Sequence, residues 1–374
     1  MAFSRYNYPI ARSAIKEMKG IKFSFGKTSY IGVDVGTTSI KAAEISSVGG
    51  KYTLLNYGSI GLTGYLDRPN NVIQTSSLRI SDVETAKLLK MLVEKMGLKD
   101  KTAVAMLPAF SAFTSLVTIP LMSIKETAQA IPFQARTVIP VSMSEVAIDW
   151  ISVGEFEDAK GIRMQKIFII GVPNDNLAVY QSLFKKAGMN LKMAEIEAMS
   201  LARSLTKKED ADVLILDIGA LSSSITIAGQ GMPKYAAQTD FAGNSLTQAL
   251  TKGLGINIRR AEALKRQRGL SGMGGEYGLS TLMLPFLDVI LNEVRRAKAI
   301  YEDEYLGKVT KILLIGGGSE LPGLKDYMSS QFDIPVEKAN PFDKVAFDPR
   351  IASIVPLLSG NFSGSIGAGM KESD

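Results

Sequence analysis

Two segments of the sequence place a carboxylate, a glycine and small hydroxyl side chains in the same order, a combination that can hold phosphate together with a metal ion. They are IGVDVGTTSIKAAEI, from residue 31, and LILDIGALSSSITIA, from residue 214. The matched positions are Asp34 with Asp217, Gly36 with Gly219, and, loosely, Thr37 and Thr38 with the serines at 222–224. Each segment is predicted to form a strand, a tight turn and a second strand, whose tip exposes N–H groups and hydroxyls to an anion.

The two aspartates indicate that a cation accompanies the phosphate. A carboxylate beside each turn would repel a polyphosphate unless a hard cation such as Mg²⁺ lies between them, keeping several waters and taking one or two carboxylates. One such hairpin alone is typically a tight turn whose aspartate bonds nearby amides. Two copies half a chain apart favour a shared site, with Asp34 and Asp217 holding Mg²⁺ through water.

A third motif, ILLIGGGSELPGL, is a predicted buried strand that runs into Gly316, Gly317 and Gly318. Glycines let a backbone approach a flat ligand such as adenine or ribose, although glycine-rich turns are common by themselves. The run lacks the G-x-G-x-x-G spacing, because Leu321 takes the last glycine position. Gly26-Lys27-Thr28 is likewise no P-loop, since Ile21 stands where its first glycine is required.

The composition excludes several kinds of chemistry. The 374 residues include no cysteine and no histidine, which excludes disulfides, thiol nucleophiles, cysteine-ligated zinc, Ser-His-Asp hydrolysis and imidazole bases. The length predicts two domains. No run approaches the roughly 20 consecutive apolar residues that span a bilayer, so we expect a soluble protein.

The net charge of +6 is concentrated at the start of the chain, where residues 1–30 hold six basic residues against one acid. The nearly neutral remainder argues against a nucleic-acid partner, which requires clustered Lys and Arg on the folded domain. Residues 1–27 carry apolar residues at helical spacing and could lie on an anionic membrane surface. The alternative is a disordered or loosely docked leader.

Hydrophobic patterns outline the elements that position these motifs. They predict strands from Ser29 to Tyr57, a helix from a capping box at Ser81 to Gly97, and two strands broken at Pro108. A helix follows, then the buried strand KIFIIGVP and an amphipathic helix that ends at Gly188. Further predicted elements are a strand-rich segment around Asp217, helices over 244–305, the strand KILLIGGG and a helical segment near 351–372. Together these elements predict a mixed α/β protein with two sheets.

The order Asp-x-Gly-Thr-Thr, second Asp-x-Gly hairpin, late strand-Gly-Gly-Gly resembles the phosphate-1, phosphate-2 and adenosine motifs of the actin-like ATPases. Within that superfamily the stretches VAMLPAFSAFTSLVTIPL, FQARTVIPVSMSEVAIDWISVG and LFKKAGMNLKMAEIEAMSLAR resemble the PilM family of type IV pilus assembly, over most of residues 29–360. The resemblance implies an α/β, actin-like (ribonuclease H-like) two-lobed fold with an FtsA/PilM-type inserted subdomain.

The implied division of the chain follows the same resemblance. The expected parts are the leader 1–27, a first lobe of 28–100 with 189–208 and 351–374, the inserted subdomain 101–188, a second lobe of 209–245 with 305–350, and a helical subdomain 246–304 near the adenosine.

The resemblance also implies ATP and Mg²⁺ as ligands and assigns a role to each motif. Gly36, Thr37 and Thr38 would hold phosphates opposite Gly219 and Ser222; Gly316, Gly317, Gly318 and Leu321 would lie near the adenosine. Glu262 and Lys265 would contact ribose and adenine, unless they form only a solvated i,i+3 pair. Glu197 would order an attacking water or simply carry a helix-start charge. Lys41 would reach a phosphate or extend along its strand.

The function implied is that of a cytoplasmic protein at the inner face of the cytoplasmic membrane, which binds the N-terminal peptide of a PilN-like inner-membrane partner while nucleotide controls lobe closure. Other pilus proteins and self-association are further expected contacts. Ala220 and Leu221 stand where fast ATPases often have glycine, and the C-terminal SIGAGMKESD lacks the usual arginine. We therefore expect slow ATP hydrolysis at most. The alternatives are an FtsA-like membrane-associated scaffold, although its C-terminal amphipathic anchor is missing here, and a small-molecule kinase on the same fold.

Overall fold

A computed structural model describes residues 28–62, 82–207, 211–270, 277–305 and 307–371. The predicted leader 1–27 and Ser81 of the predicted capping box lie outside these residues. The strands are β1 (Thr28–Val35), β2 (Ser39–Val48), β3 (Lys51–Gly61), β4 (Thr102–Leu107), β5 (Phe113–Pro120), β6 (Val146–Glu157), β7 (Arg163–Pro173), β8 (Asn190–Ile196), β9 (Val213–Ile218), β10 (Ser223–Gly229), β11 (Met232–Thr239), β12 (Ile312–Ile315), β13 (Val336–Lys338) and β14 (Val345–Ala346). The helices are α1 (Asp82–Met96), α2 (Ile124–Val138), α3 (Asn174–Lys186), α4 (Glu197–Leu205), α5 (Gly243–Leu254), α6 (Ile258–Arg268), α7 (Tyr277–Tyr305), α8 (Leu324–Gln331) and α9 (Val355–Gly369).

Two sheets repeat one strand plan. The first has the order β14-β3-β2-β1-β4-β8 and the second has the order β11-β10-β9-β12-β13. In each, a three-stranded antiparallel meander continues into two strands parallel to its first strand. The duplication expected from the two Asp-x-Gly segments therefore extends beyond the hairpins to whole sheets. Ligands commonly bind at the carboxyl ends of such parallel strands, where Asp34 and Asp217 lie.

Alternation along the strands explains how the sheets are covered. Ile31, Val33 and Val35 of β1 are buried in one core with α1 and α3, while Gly32 faces the opposite side. The second sheet packs through Leu214 and Leu216 of β9 against α5 and α7. Both sheets are thus buried on two faces, which is why their central strands are nearly all apolar.

The described residues contain a third sheet, so the prediction of two sheets is wrong. It has the order β5-β7-β6, is antiparallel, and lies between β4 and β8 in sequence. Ile151 and Phe168 on one face join the core of the first lobe, whereas Ile167 on the other face packs beneath α2. The strand β4, assigned by the sequence analysis to the inserted subdomain 101–188, pairs with β1 and belongs to the first sheet.

The helix α9 connects the lobes through close backbone contacts. A Cβ on Gly32 of β1 would lie 1.9 Å from the Ser365 oxygen, and one on Gly367 would lie 1.9 Å from the Ser200 oxygen of α4. At its other end the Gly316 N–H of the second lobe donates to the Gly360 oxygen. The small residues of α9 therefore let it pack against β1 and α4 while it also holds β12.

The segment Pro349–Gly369 is long and apolar enough to cross a membrane by composition, contrary to the expectation from the sequence. Its glycines and serines are interspersed with apolar residues, so no uninterrupted apolar run reveals it. Half of its most apolar 18-residue stretch is buried inside the fold, as in the core helix of a globular protein.

Candidate functional site

The two Asp-x-Gly turns have the same geometry. The Gly36 N–H donates to the Ser39 oxygen at 3.0 Å, and the Gly219 N–H donates to the Ser222 oxygen at 3.1 Å. This register pairs Ser39 with Ser222 and places Ala220 and Leu221 at the positions of Thr37 and Thr38. The loose match of the threonines to serines 222–224 is therefore wrong, because it compared composition and not position along the turn. Within the described residues, the backbone N–H groups at all four of these tip positions make no hydrogen bond and can receive an anion.

The turns open onto one cavity of about 540 Å³ between the lobes. It is lined by every residue named as a site residue from the sequence, which are Asp34, Gly36, Thr37, Thr38, Glu197, Asp217, Gly219, Ser222, Glu262, Lys265, Gly316, Gly317, Gly318 and Leu321. Lys41 also lines it. The volume falls within the range of about 300–1,000 Å³ that is usual for small-molecule sites.

The three glycines after β12 have separate structural reasons. Gly316 has φ +81°, and a Cβ there would lie 2.0 Å from Asp217 Oδ1. A Cβ on Gly318 would lie 2.3 Å from Ile218 Cγ2, whereas one on Gly317 would meet nothing within 4 Å. Gly316 and Gly318 are thus required by close packing on the end of β9, and Gly317 is the one that leaves space in the cavity.

An acidic cluster with one lysine lies between the turns. Lys41 Nζ is 3.3 Å from Asp34 Oδ2. Burial opposes the charge of Lys41, but the carboxylates of Asp34, Asp217 and Glu197 raise its pKa. Burial raises the pKa of Asp217, although Lys41 and a hydrogen bond with Glu197 act in the opposite direction. The cluster therefore has three carboxyl groups and only one ammonium group, so an added cation would be attracted to it.

Glu197 is the first residue of α4, and it is 8% exposed. Burial raises its pKa well above the usual value, and the neighbouring Asp217 raises it further. Glu197 and Asp217 are therefore expected to share a proton in the absence of an added cation. Among the described residues no group of three or more acidic side chains is placed to hold a metal ion directly, so a metal at Asp34 and Asp217 would need water ligands.

We expect Glu197→Gln to raise the free energy of unfolding at neutral pH. The folded state raises the pKa of Glu197 above its usual value of 4.5. The stability contributed by the protonated side chain is therefore present below pH 4.5 and is lost as pH rises through the folded-state pKa. Between these two pKa values wild type loses about 1.4 kcal/mol of stability per pH unit, and glutamine, which does not ionise, avoids this loss. Urea unfolding from pH 4 to pH 8 measures the difference. The exposed Glu94→Gln serves as the control, and equal pH profiles for Glu197→Gln and wild type would contradict the assignment.

A polar cluster stands at the other end of the cavity. Glu262 Oε2 is 2.7 Å from Lys265 Nζ and accepts a hydrogen bond from Thr247 at 2.6 Å, while Glu262 Oε1 is 2.7 Å from Arg266 Nε. Burial raises the pKa of Glu262, but Lys265 and the other donors lower it below its usual range. Glu262 and Lys265 are each 9% exposed, which excludes the solvated-pair alternative.

Two buried polar residues of the cavity, Asn244 and Ser224, were not predicted as site residues, although Ser224 was among the serines matched to Thr37 and Thr38. Asn244 is 5% exposed and Ser224 is 8% exposed. The Ser224 hydroxyl lowers the pKa of Glu197 but has no hydrogen bond of normal geometry, and both amide atoms of Asn244 likewise lack a hydrogen-bond partner. Buried polar groups are normally paired, so the Asn244 amide indicates a polar ligand or water at the site. The sequence offered no signal for Asn244, since asparagine is common at helix starts of every kind.

The residues present fit a magnesium nucleotide. Two turns present unpaired N–H groups to phosphate, acidic side chains are placed to bind a hydrated cation, and the unpaired amide of Asn244 lines the remaining volume. The carboxylates alone would repel a polyphosphate, so a nucleotide bound in this cavity would need a cation beside it.

Comparison with known proteins gives a consistent family. The model of a family described as "Type IV pilus assembly protein PilM" matches residues 32–358. A solved structure, "PilM-PilN type IV pilus biogenesis complex", superimposes with a TM-score of 0.76 at 19% identity, covering 93% of this chain and 100% of that chain. MreB5 of Spiroplasma citri bound to AMPPNP superimposes with a TM-score of 0.50 at 14% identity, covering 91% and 95%. The cell division protein FtsA of Enterococcus faecalis is 18% identical over 367 residues, covering 88% of this chain and 82% of FtsA. The fold is therefore actin-like, as the sequence motifs predicted.

Proposed function

Because this chain belongs to the PilM family of type IV pilus assembly proteins, we propose that it is the ATP-binding actin-like component of a pilus assembly machine. It acts in the cytoplasm at the inner face of the membrane and binds the N-terminal peptide of a PilN-like inner-membrane protein. Nucleotide controls the closure of its two lobes. The similarity to a PilM chain solved in complex with PilN supports the choice of partner.

The observation that carries the nucleotide assignment is the meeting of both Asp-x-Gly turns at one cavity. Thr37 and Thr38 would donate to phosphates from the first lobe, and the N–H groups of Ala220 and Leu221 from the second. Asp34 and Asp217 would accept hydrogen bonds from magnesium-bound waters. The metal would neutralise phosphate charge, and Glu262 and Lys265 would orient the ribose and adenine.

Slow hydrolysis follows from the state of Glu197. A carboxylate must be unprotonated to accept a proton from an attacking water. Burial and Asp217 raise the pKa of Glu197 and so favour its protonated form in the ligand-free site. Release of that proton has to precede any general-base role, so nucleotide serves mainly as a ligand that shifts the population of closed molecules.

Lobe closure would be transmitted to the inserted β5-β7-β6 sheet by a contact outside the cavity. Lys166 of β7 donates to the main-chain oxygen of Tyr305 at the end of α7, and Tyr305 Oη lies 3.4 Å from the Leu116 oxygen of β5. Tyr301 on the same helix donates to Asp212 at 2.6 Å, which fixes the helix end to the start of β9. A movement of the second lobe must therefore move or break the Lys166 contact.

An FtsA-like scaffold remains a second candidate, because curated relatives of this chain include FtsA. A kinase is less well supported, since the cavity wall beside the turns includes the apolar Met106, Pro108 and Phe110. A sugar substrate would require polar groups there.

A peptide-binding measurement tests the proposed function. The N-terminal cytoplasmic peptide of the PilN-like protein from the same organism, fluorescently labelled, should bind with an affinity that changes about fivefold or more when Mg-ATP is added. Lys166→Met should retain Mg-ATP binding and reduce that coupling. A scrambled peptide is the control, and a peptide affinity that is unchanged by Mg-ATP would contradict nucleotide control.

A further inference from the structure

Asn244 is a buried polar residue of the cavity whose side-chain amide makes no hydrogen bond to any described residue. It is the second residue of α5, it is 5% exposed, and both Oδ1 and Nδ2 lack a hydrogen-bond partner. Its backbone N–H, by contrast, is hydrogen-bonded, because it donates to the Ala220 oxygen at 2.8 Å. The backbone of Asn244 is therefore held in place, while its amide is buried in the ligand-free fold without a hydrogen-bond partner among the described residues.

The position of Asn244 on α5 identifies the part of the ligand it faces. Residues three apart lie on the same side of a helix, and Thr247, three residues later, bonds Glu262 and Lys265 at 2.6 and 2.8 Å. The preceding Gly243 accepts from Lys265 at 2.9 Å. Asn244 thus stands between the second turn and the Glu262–Lys265 pair, where a nucleotide would place its sugar.

The chemistry of the amide narrows the ligand group further. Nδ2 donates and Oδ1 accepts, so one partner that satisfies both must itself accept and donate. A phosphate oxygen would satisfy only Nδ2 and would leave Oδ1 facing an anion. A sugar hydroxyl offers both functions, and the Asn244 amide could pair with it beside Glu262 and Lys265, which in the ligand-free protein contact each other and Thr247.

We propose that Asn244 binds a ribose hydroxyl and makes the site selective for ribonucleotides over deoxyribonucleotides. This inference depends on the proposed nucleotide function. A deoxynucleotide lacks this hydroxyl and would leave the buried amide unpaired, so its binding free energy would be less favourable than that of the ribonucleotide.

Binding of Mg-ATP, Mg-2′-deoxy-ATP and Mg-3′-deoxy-ATP by calorimetry tests the proposal on the full chain. Wild type should bind at least one deoxy analogue about tenfold more weakly than ATP, as expected for one lost hydrogen bond to a buried group. Asn244→Ala should bind ATP and that analogue equally. Because Asn244 has no partner in the ligand-free protein, the thermal midpoint of the variant without nucleotide should stay close to that of wild type.

Asn244→Leu, which keeps the branched shape of the side chain without its polar atoms, keeps the test valid if the alanine variant folds poorly. Ser245→Ala is the matched control at the same helix start, since Ser245 accepts from the Ala242 N–H at 3.2 Å but does not line the cavity. It should retain the wild-type preference. An unchanged preference in both Asn244 variants would overturn the role of Asn244 alone, whereas failure of wild type to bind any of the three nucleotides would overturn the proposed function.

Discussion

Replacing Asp217 by asparagine should weaken Mg-ATP binding by about a hundredfold, roughly 2.7 kcal/mol. Asp217 lies at the carboxyl end of β9, lines the cavity and helps to hold the positive charge of Lys41. The amide keeps the shape of the side chain but removes the charge that attracts a hydrated cation. Without Mg²⁺ the sign should reverse, because wild-type Asp217 then repels the phosphates. Titration of ATP with and without Mg²⁺ measures both effects, and Asp34→Asn should behave in the same way.

Asp326→Asn is the control for this pair of variants, because Asp326 is an exposed carboxylate of α8 outside the cavity. It should bind Mg-ATP as wild type does. If Asp34→Asn and Asp217→Asn both bind Mg-ATP with wild-type affinity, the acidic cluster does not hold the cation and the site assignment is wrong.

Breaking the ion pair between Glu195 and Arg203 should have the largest effect on stability. Arg203 Nη1 and Nη2 donate to the two oxygens of Glu195 at 2.6 and 2.8 Å, and Arg203 also donates to the Gly367 oxygen of α9 at 2.8 Å. Glu195 is 7% exposed. Arg203→Met would leave this carboxylate buried without its main partner, which typically costs about 3–5 kcal/mol. Chemical unfolding at pH 7 measures the loss.

The matched control for Arg203→Met is Arg163→Met. Arg163 Nη2 lies 3.0 Å from Glu155 Oε2, and both side chains of this ion pair are exposed. That change should cost less than about 1 kcal/mol. The effect at Arg203 should also depend on pH. Burial opposes ionisation of Glu195, but Arg203 lowers its pKa below 4.5, so the pair stabilises the protein above that value and the contribution is lost as pH falls through the folded-state pKa. Equal losses for the two variants at pH 7 would contradict the account of this contact.

The local parts of the site could be predicted from the sequence because each depends on a few neighbouring residues. A strand, Asp-x-Gly and a second strand define a hairpin wherever they occur, and two copies with one late glycine run define the order of the motifs. The match of Thr37 and Thr38 to later serines failed because side-chain similarity was compared without the hydrogen-bond register of the turns.

Other features depend on packing that no local pattern carries. Asn244 lies at the cavity because the start of α5 bonds the second turn, and the roles of Gly316 and Gly318 depend on the end of β9. The small residues of α9 interrupt its apolar pattern, yet they allow its close contacts with β1 and α4. The third sheet required knowledge of which strands pair across about 50 residues, which alternation alone does not supply.

The most direct test of the central claim is a crystal structure of this protein with Mg²⁺ and a non-hydrolysable ATP analogue. The account predicts the phosphates between the turns Gly36–Ser39 and Gly219–Ser222, with a hydrated magnesium ion beside Asp34 and Asp217. A nucleotide bound elsewhere, or phosphates that contact only one of the two turns, would contradict it.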